Sequence, residues 1–408
     1  MKNIHQIQTL DELLIYLNSL HPKFIDFNLK RIKSLMKKLG NPEKKLTKTI
    51  HIAGTNGKGS TLAFTKHIAE NHGLKVSYYS SPHLINFNER IVLNGKTIEN
   101  KFLFEILKEV AIKNNNNQIT FFEITTAAAF LAFSRIKSDL YIIETGLGGR
   151  LDATNILQNK SIVAITNIGY DHKEFLGSKL KQIIYEKCGI LNENTPTVIS
   201  KQNTKYIKKN ILYEVHKRKS QLLKLNLIPN TWSLGLSGDH QYNNAATAAT
   251  IMKYLYKDLK SITIKNGLLS TKWPGRLQPI ENGNIIKKRN NITLIDGAHN
   301  INGAMVIKNY LDKLKLGKWI VILGMMKNKD VNEFINIIQK NIYKLYLVPI
   351  ENQKNCFKPS ELLKKIKKDN FELVSLNNLE EATNLVPTNK PLLITGSLYL
   401  VGETLRKN

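Results

Sequence analysis

The chain has 408 residues, 42% of them hydrophobic, and a formal net charge of +28; this length predicts two or three domains with ample core. No stretch approaches the roughly 20 apolar residues of a membrane span, which excludes an integral helical membrane protein, and two distant cysteines, Cys188 and Cys356, exclude a disulfide scaffold and are expected as free thiols. The positive charge is spread along the whole chain as lysine, with much asparagine and little arginine, so it reads as compositional drift and predicts no nucleic-acid face, although anionic substrates gain from the field.

Residues 4–20 and 27–39 read as amphipathic helices, the second ended by Gly40-Asn41-Pro42. The first residues, with Asp11 and Glu12 and no long apolar run, resemble neither a signal peptide nor an anchor, so a cytoplasmic location is expected. Thr49-Ile-His-Ile-Ala-Gly-Thr-Asn-Gly-Lys-Gly-Ser-Thr61 then passes from a β-branched strand through glycines to a helix that stops at His72-Gly73. Such a loop turns N–H groups around an anion, the helix N-terminus adds partial positive charge, and Lys58 adds a full one. The strict phosphate-loop pattern fails twice, since Ile52 replaces its first glycine and Gly59 follows the lysine; the plain alternative is a glycine-rich turn. Residues 74–80 read as a strand leading to Ser81-Pro-His83 and Glu89-Arg90, several polar groups in one stiffened loop. Helices follow over 100–112 and from Thr120-Phe-Phe-Glu-Ile-Thr125 to about 134.

Asp139-Leu-Tyr-Ile-Ile-Glu144 has the pattern of a buried parallel strand that delivers a carboxylate to the sheet edge. The glycines of 145–155 permit close backbone approach to a ligand, and Arg150, Asp152 and Asn155 offer polar contacts. A second buried strand, 161–167, ends near Asp171-His172. Taken singly His172 reads as a structural histidine; beside Glu144 it becomes a candidate Mg²⁺ ligand. Lys187 reads as a cation in the last turn of a helix, favoured by the helix dipole, and Asn244 stands near the polar start of an Ala-rich helix where it could meet a base or ribose. Trp273-Pro-Gly-Arg276 reads as a stiff turn with an exposed arginine, and the polar segment 281–291 as the interdomain linker. From 292 short apolar runs alternate with amphipathic helices: strands 292–296, 319–323, 342–349, 371–375 and 391–395, with helices from 301 and over 330–340, 359–368 and 379–385. The strand ends 296–300, 324–330 and 395–397 are the ligand points expected of a doubly wound sheet.

Taken together, the 51–60 loop, Ser81-Pro-His-Leu84, Glu89-Arg-Ile91, Glu144 with Gly146-Leu-Gly-Gly-Arg-Leu-Asp-Ala-Thr-Asn155, Asp171-His172, Glu186-Lys187, Trp273-Pro-Gly-Arg276, Asp296-Gly-Ala-His-Asn300 and Thr395-Gly-Ser-Leu-Tyr399 resemble the folylpolyglutamate synthase and dihydrofolate synthase family, relatives of the Mur ligases. The resemblance implies an α/β fold: a phosphate-loop ATPase domain with a parallel sheet over 1–278, and a smaller Rossmann-like doubly wound ligase domain over 279–408. It implies ATP bound by Asn56, Gly57, Lys58, Gly59, Ser60, Asn244, Arg276 and Asp296, and Mg²⁺, expected as two ions, on Ser81, Glu144, His172 and a carbamylated Lys187. Lys58, Lys187 and His299 would be catalytic. Phe27, Asn28, Leu29 and Lys30 with Phe122, Glu123 and Thr125 would receive the pterin, and Ser81, His83, Gly148, Arg150 and Asp152 would complete the substrate contacts. Ile301, where the family has proline, and a long segment between Arg276 and Asp296 depart from the pattern.

The activity so implied is an ATP-dependent ligation of L-glutamate to dihydropteroate and to reduced folates through an acyl phosphate, by a monomer without nucleic-acid or membrane partners, with the domains closing over the intermediate. Whether both acceptors are used stays open. The alternatives are a Mur ligase of peptidoglycan synthesis, which Gly59 and the Ser81 loop disfavour, and a nucleic-acid-stimulated NTPase.

Overall fold

Strand β1 (Thr49–Ala53), every residue of it buried, lies inside an eight-stranded sheet with β2 (Val76–Tyr79), β3 (Ile91–Leu93), β4 (Lys96–Thr97), β5 (Leu140–Glu144), β6 (Ile162–Ile165), β7 (Pro196–Ile199) and β8 (Gln221–Leu222). The order is β4-β3-β2-β5-β1-β6-β7-β8, parallel except at the β2–β3 and β3–β4 pairs. The computed structural model describes residues 4–23, 25–287, 289–367 and 371–408. Because β1 is flanked by β5 on one side and β6 on the other, the chain after each of these three strands emerges at one edge. That edge is the switch point where α/β sheets bind ligands.

One face of this sheet is covered by the helices Leu10–Asn18, Leu29–Lys38, Asn100–Asn114 and Phe121–Arg135, the other by Lys58–Asn71, Gln241–Leu255 and Ser261–Ser270. The last three cross closely, since a Cβ on Gly267 would lie 2.6 Å from Ile68 Cα. The first helix is shorter than the apolar spacing predicts: a 3₁₀ turn at Ile4–Gln6 precedes an α-helix that starts only after Thr9, whose hydroxyl accepts from Glu12 N–H. Asn28 likewise caps the helix Leu29–Lys38, leaving Phe27 outside it.

The second sheet has β9 (Gln278–Pro279), β10 (Thr293–Asp296), β11 (Trp319–Leu323), β12 (Ile342–Leu347), β13 (Glu372–Ser375) and β14 (Leu392–Thr395) in the order β13-β12-β11-β14-β10-β9. Only the edge strand β9 runs antiparallel. The strands and helices alternate as their apolar runs predict; the helix expected over 359–368 is Pro359–Lys365, and residue 368 lies outside the described residues.

The segment 281–291 is not a linker. Gly283 N–H donates to Ile286 O, Asn284 N–H to Asn408 O and Asn290 N–H to Thr388 O, and Ile286 is buried in the second core. These bonds are made by backbone N–H groups, and Ile286 N–H donates to Asn408 Oδ1 as well, so the segment's polar composition does not distinguish it from a solvated connection. Residue 288 lies outside the described residues. The chain crosses between the sheets through the turn 274–277, where Leu277 takes φ +43° and β9 begins immediately after it. Among the described residues no helix is long and apolar enough to cross a membrane.

Candidate active site

Gly57 takes φ +89° and ends the loop after β1. The first helical bond runs from Thr61 N–H to Gly57 O, so the N–H groups of residues 58–60 have no helical partner and are free for an anion. The loop is packed tightly around its glycines: a Cβ on Gly54 would fall on Thr166 Oγ1, one on Gly57 on Asn244 Oδ1, and one on Gly59 would lie 2.8 Å from Trp273 Nε1. Asn167 O supports it from just beyond β6, accepting from Thr55 N–H at 2.9 Å and Asn56 N–H at 3.1 Å. These contacts give the glycine-rich stretch a purpose beyond turning the chain.

The loop opens into a cavity of about 480 Å³ between the two domains. Lys58 Nζ stands 3.8 Å from Glu144 Oε1 at the end of β5. Burial raises the Glu144 carboxyl above its usual range, while Lys58, Arg276 and the Ser81 N–H work the other way. Lys187 is buried at the end of its helix and donates to Gly54 O at 2.8 Å. Burial, and the Lys58 charge after it, lower its ammonium to about 7. His172, at φ +49° before a short helix, is lowered to about 3, chiefly by burial, so its imidazole is neutral.

The fit of a metal can be tested on these side chains. His172 Nδ1 is buried with no hydrogen-bond partner, a neutral nitrogen with an unused lone pair or proton, and Ser81 and Glu144 line the same cavity. Among the described residues no three His, Cys, Asp or Glu side chains form a cage. One carboxylate, one imidazole and one hydroxyl suit an ion such as Mg²⁺, which takes few protein ligands and completes its shell with phosphate oxygens and water.

The second domain supplies the opposite wall. Asp296, at the end of β10, accepts from Leu277 N–H at 2.7 Å and Ala298 N–H at 2.8 Å, so it organises the 296–300 loop as well as facing the cavity. Arg276, expected as exposed, is half-buried and lines the cavity, because the turn that carries it is pressed between the domains: a Cβ on Gly275 would lie 2.8 Å from Val401 Cγ1. His299 Nε2 lies 3.5 Å from Asp171 Oδ2 and Lys329 Nζ 2.5 Å from Asp171 Oδ1. Burial alone would raise the Asp171 carboxyl, but His299 and Lys329 hold it well below the usual carboxylate range.

All the residues expected to hold ATP, metal or the reacting groups line this one cavity: residues 56–60, Ser81, Glu144, His172, Lys187, Asn244, Arg276, Asp296 and His299. The expected pterin contacts do not. Phe122 stacks on Tyr79 at 5.9 Å, Phe27 meets Phe175 edge-on at 6.4 Å, and Asn28 caps its helix ahead of Leu29 and Lys30. Glu123 accepts from Thr120 and Arg31, Thr125 Oγ1 reaches Phe122 O, and Asp152 accepts from Leu147 and Thr154 N–H. His83 accepts from Arg90, Arg150 pairs with Glu186 at 2.9 Å, and Gly148 sits at φ +72° against Leu176. Sequence reasoning assigned no role to Asp171, Asn300 or Lys329, though each lies in a strand-end segment that it marked.

Comparison with known proteins matches both halves. The family model of the Mur ligase middle domain matches residues 52–211 and that of the dihydrofolate synthetase C-terminal domain residues 280–407. Fold and cavity thus define an ATP-dependent ligase of the Mur type. A dihydrofolate synthase/folylpolyglutamate synthase of Buchnera aphidicola is 32% identical over 421 residues, covering 98% of this chain and 99% of that protein; one from Haemophilus influenzae is 31% identical, covering 97% and 96%. The chain belongs to the dihydrofolate synthase/folylpolyglutamate synthase family. Among solved structures, E. coli FolC in complex with DHPP and ADP superposes with a TM-score of 0.85 at 25% identity, over 100% of this chain and 98% of that one. The bifunctional Yersinia pestis enzyme with AMPPNP and Mn ion gives 0.84 at 25%, over 100% and 99%.

Proposed function

We propose that this ligase adds L-glutamate to dihydropteroate and to the terminal glutamate of reduced folates. The observation that carries the reading is the meeting, in one cavity, of Lys58, Glu144, His172 and Lys187 from the first domain with Arg276, Asp296 and His299 from the second. Lys58 and the free N–H groups of residues 58–60 hold the ATP phosphates and offset the repulsion between two anions as the pteroyl carboxylate attacks the γ-phosphorus. ADP leaves, and the carboxylate becomes an acyl phosphate. The glutamate amine then adds to the acyl carbon, and the tetrahedral intermediate expels phosphate to leave the amide. Magnesium held by Ser81, Glu144 and His172 would supply phosphate charge neutralisation.

Lys187, lowered to about 7, has a substantial neutral fraction near physiological pH. A neutral amine adds CO₂ and releases a proton, and the resulting carbamate would give the cavity a further carboxylate beside Glu144, Asp171 and Asp296. A neighbouring cavity of about 420 Å³ beside His299 is lined by Lys173, Lys327, Lys329 and Lys365 together with Asp171, Glu174, Asp330 and Glu333, a mixed lining that suits the carboxylates and the ammonium group of glutamate. Phe27, Phe122 and the glycine loop 146–149 suit the pterin. One chain supplies both walls of the cavity, which suits a monomer, and its free Cys188 and Cys356 suit the cytoplasm. The test is ATP turnover by purified protein with glutamate and either dihydropteroate or tetrahydrofolate. Turnover with one acceptor alone restricts the reading to that reaction, and turnover stimulated by RNA without either acceptor overturns it.

A further inference from the structure

Asn300 ends the loop after β10 and caps the helix Ile301–Leu314. Its amide has two N–H donors and two acceptor lone pairs, and all four are taken. Oδ1 accepts from Gly303 N–H at 2.9 Å and from Asn56 Nδ2 at 3.1 Å. Nδ2 donates to Asn56 Oδ1 and to Asp171 Oδ2, each at 3.1 Å. The chemistry of the partners fixes which end of the amide is which, because Gly303 N–H only donates and an ionised Asp171 only accepts.

Three of these four bonds leave the second domain. They reach Asn56 in the phosphate loop and Asp171 next to His172. A second amide runs alongside, Asn302 Nδ2 to Asn167 Oδ1 at 3.1 Å, and Asn167 is the residue whose carbonyl supports Thr55 and Asn56. The second domain therefore grips the phosphate loop directly and through its backing strand. Asn300 is 9% exposed, so these bonds are little challenged by water.

We propose that Asn300 is a positioning residue for phosphoryl transfer: its saturated amide holds the phosphate loop and Asp171 in their working arrangement only when the two domains are closed. The inference rests on the ligase reading above. The three closest replacements each lose part of this set. Aspartate and serine both keep the cap on Gly303 N–H, but aspartate sets a carboxylate against Asp171 and Asn56 Oδ1, and serine reaches too short a distance to bridge. Alanine removes everything at once.

The test compares the unaltered chain with Asn300→Asp, Asn300→Ser and Asn300→Ala in four measurements: melting temperature, ADP affinity, acceptor-dependent kcat and KM, and compaction in solution scattering with ATP and both substrates. With the cap preserved, the aspartate and serine variants lose less melting temperature than alanine, keep ADP affinity, lose about 100-fold in kcat, as a displaced reacting group does, and fail to compact. Alanine, which also loses the cap, lowers the melting temperature furthest. Unaltered kcat in both capped variants overturns the proposal, as does a kcat loss that simply follows melting temperature. If the unaltered chain shows no acceptor-dependent turnover, the ligase reading falls instead. Scattering then decides on Asn300 alone, and capped variants that compact on adding ATP as the unaltered chain does would overturn the coupling.

Discussion

The indole of Trp273 packs on Gly59, so closely that a Cβ there would lie 2.8 Å from Nε1. This explains why a glycine follows Lys58 where phosphate loops place serine or threonine. Gly59→Ala should displace the indole and with it the turn that carries Arg276, weakening ATP binding by about 1–3 kcal/mol, the usual cost of overpacking. Titration calorimetry measures it, and Trp273→Leu in the same background should recover part of the loss. An ATP affinity unchanged in the single variant would show that the indole moves aside freely.

Lys58 contributes the loop's only full positive charge and neutralises Glu144 across 3.8 Å. Lys58→Ala should lower kcat by about 10³-fold, in the range of a lost transition-state donor. It should leave the fold intact, since Lys58 lies at the cavity and not in a core cluster. Circular dichroism beside the turnover assay separates the two effects, and a variant retaining most of its turnover would remove Lys58 from the mechanism.

Gly189 allows the loop after Glu144 to touch the turn that carries Lys187: a Cβ there would collide with Arg150 Cβ and Cα and lie 2.8 Å from Arg150 N. Gly189→Ala should therefore cost about 3 kcal/mol or more, because backbone cannot rotate away as a side chain can. Gly317 is the control. It has φ +75° but nothing within 4 Å of a Cβ, so alanine there should cost only about 1–2 kcal/mol of backbone strain. Urea unfolding of both variants measures the difference, and equal losses would mean that the Gly189 contact yields.

Two half-buried histidines predict acid instability. His83 and His240 are each lowered from 6.5 to about 4, first by burial and then by Arg90 and Arg276 respectively. The unfolded chain takes up these protons near pH 6.5 while the folded chain resists until about pH 4, so their contribution is full above 6.5 and is lost as pH falls towards 4. In the His83→Gln/His240→Asn double variant, unfolding free energy should fall less steeply over that interval than in the unaltered chain. Parallel pH profiles would refute the assignment.

The local pattern of the chain determined more than its fold class. The apolar run 319–323 is β11 to the residue, and the runs ending at Glu144 and Asp296 delivered their carboxylates to the sheet edges because strand period and burial are local properties. The segment 281–291 differs from its expected role for the complementary reason: a polar stretch whose backbone bonds a distant chain end looks the same, in sequence, as one that bonds water.

What only the tertiary structure decided is which of these edges face one another. Lys329 meets Asp171 across 158 positions and Asn300 meets Asn56 across 244, pairs created when two independently patterned sheets dock. A hydrogen bond needs its partners within about 3 Å and aligned, and no residue's own neighbours in sequence encode that distance. Glycine and lysine spacing along the chain was enough to mark this loop as the expected phosphate site. The amides that join it to the second domain became visible only with both domains in place.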